Sequence, residues 1–252
     1  MCLIVLAWRA HPAWPLIVAA NRDEFHRRPA EPLHSWPDAP QVVAGRDLEA
    51  GGTWLAASRD GRFATVTNYR ENLEVQTGQR SRGALVTDFV TTGSTPLAFA
   101  RSIDAERYAG FSLLAATPAS IAYVSNRGDP PRALAAGIYG LSNASLDTPW
   151  PKVVRSRKRL EALIGRDGVT ADSLFELLAD REPEEEVGTP ARDLPPAEAR
   201  AVSAPFIVTP EFGTRCSTVL LLGGNGEMQL HERRFDAEGR ATGESSMGFR
   251  ID

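Results

Sequence analysis

The residue with the most chemistry to offer stands next to the start of the chain. Cys2 follows Met1 directly. Removal of Met1 would leave one residue carrying both a thiol and an α-amine. An α-amine has a reference pKa near ~8, so part of it is neutral at physiological pH and can take the thiol proton. A nucleophile activated in this way needs no separate histidine. Position alone favours a plainer reading, a small cysteine packed inertly in a strand. A second polar cluster, Asn21-Arg22-Asp23-Glu24, follows the apolar run Leu16–Ala20. There Arg22 would lower the pKa of a nearby thiol, and Asp23 would orient the amine or the guanidinium. Taken alone, the cluster reads equally well as a solvated turn laced with ion pairs.

Composition removes several other classes. The 252 residues carry 28 basic and 32 acidic side chains, a net charge of −4, so no nucleic-acid partner is expected. Apolar runs such as Thr218–Leu222 are far too short to span a bilayer. Leu3–Ala7 is followed at once by Trp8 and Arg9 and has no basic region before it, which argues against a secretory signal. Two cysteines, Cys2 and Cys216, make no disulfide framework, so a reducing, cytoplasmic setting is expected. The four histidines His11, His26, His34 and His231 show no metal-ligand spacing, and no metal is expected. Gly223–Gly226 reads as a hairpin turn rather than a phosphate loop.

The elements that must position these residues come as strands, then helices, then strands. Cys2–Trp8 and Leu16–Ala20 form an expected hairpin. Thr53–Ala57 and Arg62–Asn68 flank the turn signal Asp60-Gly61, Phe111–Ala115 pairs with Ile121–Ser125, and Ile138–Ser142 is a short strand. Helices are expected over Ser81–Val90, Pro96–Ile103, Pro151–Ile164 and, capped by Thr170, Ala171–Leu178. In Pro151–Ile164, Val153, Leu160, Leu163 and Ile164 form the apolar face, with Lys152, Arg155, Arg157, Lys158 and Arg159 mostly off it. Glu182–Ala204, rich in Pro and Glu, reads as a loop or lid. Thr218–Leu222 and Met228–Phe235 return to strand. This order fits an α+β sandwich with antiparallel sheets, in one domain over residues 1–252.

Several segments together carry a resemblance. Met1-Cys2, Ala20-Asn21-Arg22-Asp23-Glu24-Phe25, Gly51-Gly52-Thr53-Trp54-Leu55, Thr67-Asn68-Tyr69-Arg70, Gly140-Leu141-Ser142-Asn143 and Gly213-Thr214-Arg215-Cys216-Ser217-Thr218 are similar to the NRDE family. That family is also called the transport and Golgi organization protein 2 family, and it resembles the cysteine-type N-terminal nucleophile hydrolases. The resemblance implies a four-layer αββα sandwich. It implies Cys2 as nucleophile, Asn143 as an oxyanion-hole side chain, Asn68 lining the same site with a backbone N–H close by, and Arg215 as a late arginine near the nucleophile. The hydrolases carry an arginine and an aspartate near this cluster at a different spacing, so the resemblance implies Arg22 in the site, and Asn21, Asp23 and Glu24 compete for the aspartate role. The implied reaction is hydrolysis of a small-molecule amide without any cofactor. The alternatives are a haem-binding or haem-trafficking protein, with His11, His26, His34 or Cys2 as the axial ligand, or a factor in secretion and Golgi organisation. The expected partner is a small molecule, and the sequence does not speak to oligomeric state.

Overall fold

Leu3–Trp8 (β1) is apolar and buried at every position. A strand of this kind needs cover on both faces, and alternation along it defines two different covers. Ile4, Leu6 and Trp8 face a second sheet, while Leu3, Val5 and Ala7 face helices. Each fully buried side chain of this size contributes about 1.5–3 kcal/mol. The computed structural model describes residues 2–70, 79–128, 130–184 and 195–251.

Elements are numbered along the chain. The first sheet has the order β10 (Gly137–Leu141), β1, β2 (Leu16–Phe25), β11 (Phe212–Leu222), β12 (Glu227–Phe235), β13 (Ala241–Arg250). The second runs β3 (Ala30–Trp36), β4 (Ala39–Asp47), β5 (Leu55–Ser58), β6 (Phe63–Asn68), β7 (Phe111–Ala116), β8 (Ile121–Ser125), β9 (Arg132–Ala133). Every pairing is antiparallel.

Helices α1 (Gly83–Thr91) and α2 (Pro96–Ser102) cover the second sheet through Leu85, Val86, Phe89 and Ala100. Helices α3 (Pro151–Gly165) and α4 (Ala171–Leu178) cover the first through Val153, Leu160, Leu174 and Leu178. The layers are therefore α, β, β, α. Thr170 caps α4 in a reciprocal box with Ser173, as its side-chain chemistry dictates.

Four strands went unread in the sequence, the two-residue β9 among them. β3 and β4 carry Pro, Trp and His without a clean period, and β13 is a mostly exposed edge strand containing two glycines. The expected loop 182–204 contains a short helix, α5 (Pro196–Ala201), at its far end. Residues 185–194 of that loop lie outside the described residues. Lys152 departs most from expectation. It is 3% exposed, on the buried side of α3 rather than on its solvated face.

Candidate active site

Strand β2 does not stop at its apolar run. It continues through Asn21-Arg22-Asp23-Glu24 to Phe25, so the polar cluster is strand and not turn. Alternation then sends its side chains to opposite faces. Asn21 and Asp23 point to the helix layer, and Arg22 points between the sheets. Asn21 is consumed by structure. Its Nδ2 donates to the carbonyls of Leu178 and Pro205 at 3.0 and 2.9 Å, and its Oδ1 accepts from Ser217 Oγ at 2.6 Å. Of the three residues competing for the acidic role, Asp23 and Glu24 line the cavity described below.

That cavity, about 310 Å³, opens at the end of β1. Cys2, Asp23, Trp54 and Asn68 line it, together with Arg22, Arg28, Arg80 and Arg82. Cys2 is half-buried there. Its backbone nitrogen donates to Asn143 Oδ1 at 3.1 Å, and Asn143 Nδ2 donates to the Asn68 carbonyl at 2.9 Å. Ser142 Oγ donates to the Cys2 carbonyl at 2.7 Å, and Thr67 Oγ1 donates to the Ser142 carbonyl at 2.7 Å. The end of β10 thereby ties the end of β1 to the end of β6, across the two sheets. One amide proton of Asn143 is committed to Asn68, which leaves its second as a donor. Tyr69 N donates to the Gly110 carbonyl, so the backbone donor expected near Asn68 is not that of Tyr69.

Burial pushes the Cys2 thiol above its ordinary pKa, and the Asp23 charge adds to this. The Asp23 backbone N–H, hydrogen-bonded to the thiol, and the charge of Arg22 pull the other way. Arg22 itself is 5% exposed, stacks over the Trp54 ring at 4.3 Å and pairs with Asp47 at 2.9 Å. Asp47 also takes Arg28 at 2.6 Å. Burial would raise the Asp47 pKa, but the Arg28 hydrogen bonds, the Ala50 N–H and both guanidinium charges outweigh it and hold the carboxyl below its ordinary value. The sequence reading gave no role to Asp47 or Trp54, although Trp54 stands within a motif already quoted.

Asp23 is 3% exposed. Its Oδ1 accepts from Thr214 Oγ1 at 2.7 Å, and that hydroxyl accepts from Ile207 N at 2.9 Å. Burial raises the Asp23 carboxyl from 3.8 to about 6, against the lowering effect of Lys152 and Thr214. The folded chain thus keeps this proton to higher pH than the unfolded chain does. Stability is lost as pH rises from about 4 through about 6, and the loss is complete above that. Its size is on the order of 3 kcal/mol. Urea unfolding between pH 4 and 7 is expected to show this fall in wild type and not in Asp23→Asn; equal slopes in both would refute the assignment.

Arg215 is the extra residue of a β-bulge. Thr214 pairs with Asp23 and Cys216 with Arg22, so Arg215 has no opposite number on β2. Bulges re-aim side chains beside sites. This one sets Thr214 opposite Asp23, within reach of its carboxylate. The Arg215 guanidinium does not line the cavity among the described residues. Its Nη1 lies 2.9, 2.9 and 3.1 Å from the carbonyls of Phe25, His26 and Arg28. Arg215 therefore clamps the turn that carries Arg28. Arg215→Ala is expected to lower stability by about 1–3 kcal/mol, read by thermal unfolding, while Cys2 stays as reactive towards a small alkylating agent as in wild type.

The histidines stand apart from this cavity. His11 bonds Asp167, His26 the Thr209 carbonyl, His34 the Pro32 carbonyl, and His231 Ser246. Among the described residues no cluster of three or more His, Cys, Asp or Glu is placed to hold a metal ion. A haem would find one axial donor in the cavity, Cys2. Seven charged side chains stand in its wall, Arg22, Asp23, Glu24, Arg28, Asp47, Arg80 and Arg82. No helix is long and apolar enough to cross a membrane, among the described residues.

Two antiparallel sheets between helix layers make an αββα sandwich, the layering of the N-terminal nucleophile hydrolases. Solved structures agree with this at the level of fold. An N-acylethanolamine-hydrolyzing acid amidase ortholog from Caenorhabditis elegans superposes with a TM-score of 0.54 at 13% identity, covering 87% of this chain and 92% of its own. The C2A mutant of conjugated bile acid hydrolase from Clostridium perfringens gives 0.56 at 6% identity, covering 98% and 92%. The chain belongs to the Transport and Golgi organisation 2 family, whose sequence profile matches residues 1–237. Transport and Golgi organization protein 2 homologs from Bos taurus and Homo sapiens are 36% and 35% identical over 256 residues, 92% of this chain and 92% of each homolog. The Drosophila melanogaster protein of that name is 27% identical over 261 residues.

Proposed function

We propose that this protein hydrolyses a small-molecule amide, with Cys2 as an N-terminal nucleophile exposed by loss of Met1. The observation that supports it is the contact of the Cys2 nitrogen with Asn143 Oδ1 at 3.1 Å, with the thiol beside the cavity. Loss of Met1 turns that nitrogen into the α-amine and leaves Asn143 as its acceptor. The neutral amine takes the thiol proton, and the sulfur attacks the amide carbon. The free proton of Asn143 Nδ2 stabilises the oxyanion. The C–N bond then breaks as the amine returns the proton to the leaving nitrogen, and a thioester forms on Cys2. Water attacks the thioester, giving a carboxylic acid and the free thiol. No cofactor enters the cycle. A panel of small acyl amides tests the reading. Release of amine by wild type and not by Cys2→Ala is expected. A wild type as inactive as the variant across the panel would overturn it.

A further inference from the structure

The wall of the cavity is buried at one end and open at the other. Arg22, Asp23 and Thr53 are buried, while Arg28, Arg80 and Arg82 reach solvent and form the mouth. Three guanidiniums thus stand there beside one carboxylate of the lining, Glu24, whose Oε1 already accepts from Phe25 N at 2.9 Å. Two acids outside the lining pair with these arginines, Glu49 with Arg28 at 2.7 Å and Asp88 with Arg80 at 3.1 Å. Both carboxylates are exposed, so water screens them and the pairs are weak. The field inside the mouth is therefore positive, and a cleft focuses such a field. The arginines are also held in place. Arg80 Nη1 donates to the Tyr108 hydroxyl at 2.9 Å, and Arg82 Nη1 donates to the Gly110 carbonyl at 3.3 Å. Their backbone is pressed onto the facing wall. A Cβ on Gly52 would lie 2.7 Å from the Gly83 carbonyl carbon, so two bare glycines let segment 80–83 close on Gly52-Thr53 beside Trp54.

We propose that Arg80 and Arg82 are specificity-determining residues, which seat a carboxylate or phosphate of the substrate at the mouth while its amide lies against Cys2. This rests on the hydrolase reading of the cavity and narrows its substrates to anionic amides. A volume of about 310 Å³ holds a small molecule that carries both groups. A guanidinium meets a carboxylate or phosphate with paired N–H donors, and charge-assisted bonds of this kind are about twice as strong as neutral ones. The buried end offers no such seat, because Arg22 is already committed to Asp47 and stacked on Trp54. The two ends therefore divide the work, chemistry at the buried end and charge selection at the open one.

Matched probes test this, each pair differing by its acidic group: succinamate against succinamide, and N-acetyl-O-phosphoethanolamine against N-acetylethanolamine. They are compared on wild type, Arg80→Gln, Arg82→Gln and the double variant. The first readout is protection of Cys2 from iodoacetamide, located by peptide mass, which needs no turnover. In wild type the charged member of at least one pair is expected to protect at about tenfold lower concentration than its neutral partner. The pair that shows the preference tells carboxylate from phosphate. The double variant is expected to lose most of it, and the single variants keep the comparison open should the double one fail to fold. The second readout is the ratio of kcat/KM, charged over neutral, for any pair that is cleaved, and it is expected to fall in step. A variant that merely loosens the fold weakens both members and leaves the ratios alone. No charge preference in either pair, or a preference undiminished in the variants, would overturn the proposal. Charge-selective protection lost in the variants, with no amide cleaved, would uphold the anion seat and sink the hydrolase reading alone.

Discussion

Cys2→Ala is expected to abolish amine release from every amide that the wild type cleaves, while leaving the fold in place. The first half follows from the reaction, because Cys2 is the one thiol that lines the cavity among the described residues. Cys216, the second cysteine, is buried on β11, and burial with the neighbouring Glu232 charge raises its thiol well above the ordinary value, so it stays protonated and inert. The second half follows from packing. Cys2 is half-buried at a strand end, and its backbone contacts to Ser142 and Asn143 survive truncation of the side chain. Thermal unfolding checks that half. A variant that melts with wild type and yet releases no amine separates chemistry from stability.

The Asn143 variants come next in size. Asn143→Asp keeps an oxygen to accept from the Cys2 nitrogen but loses both amide protons. It is expected to lose on the order of 10²–10³ in kcat, the usual cost of one oxyanion donor. KM should move much less, as for an interaction made in the transition state. Both variants open the link between β10 and β6 and are expected to lose about 1–3 kcal/mol of stability, because the Asn68 carbonyl loses its donor in a part-buried setting. Asn143→Ala also removes the acceptor of the Cys2 nitrogen. Steady-state kinetics and chemical unfolding of both variants check this. Equal kcat in Asn143→Asp and wild type would remove Asn143 from the oxyanion role.

The sequence carried the frame of the fold further than the wiring of the site. Strands such as β1 and the β7–β8 pair announce themselves through apolar runs and turn chemistry, and α4 through its Thr170 cap. β3, β4 and β13 do not, because edge and irregular strands mix prolines, glycines and charges in no fixed period. Within the site, the NRDE cluster was visible as a string of polar residues, but the division of labour inside it was not. That division depends on strand alternation continuing past Ala20, which sends Asn21 into a structural knot and Arg22 onto Trp54. Arg215 was recognisable from its motif. Its role as the bulge that sets Thr214 against Asp23 depends on pairing with a strand almost two hundred residues away. Lys152 was hidden for another reason. A lysine on a basic helix reads as solvated, and only the layer beneath it reveals that it is buried.

The account turns on residue 2 being both the first residue and the nucleophile. The most direct test is mass analysis of the N-terminal peptide after brief incubation with a cleaved amide and acid quenching. The account predicts a peptide that begins at Cys2 and carries the acyl group as a thioester, absent from Cys2→Ala. A peptide that still begins at Met1 and carries no acyl group, from protein that nonetheless releases amine, would contradict it.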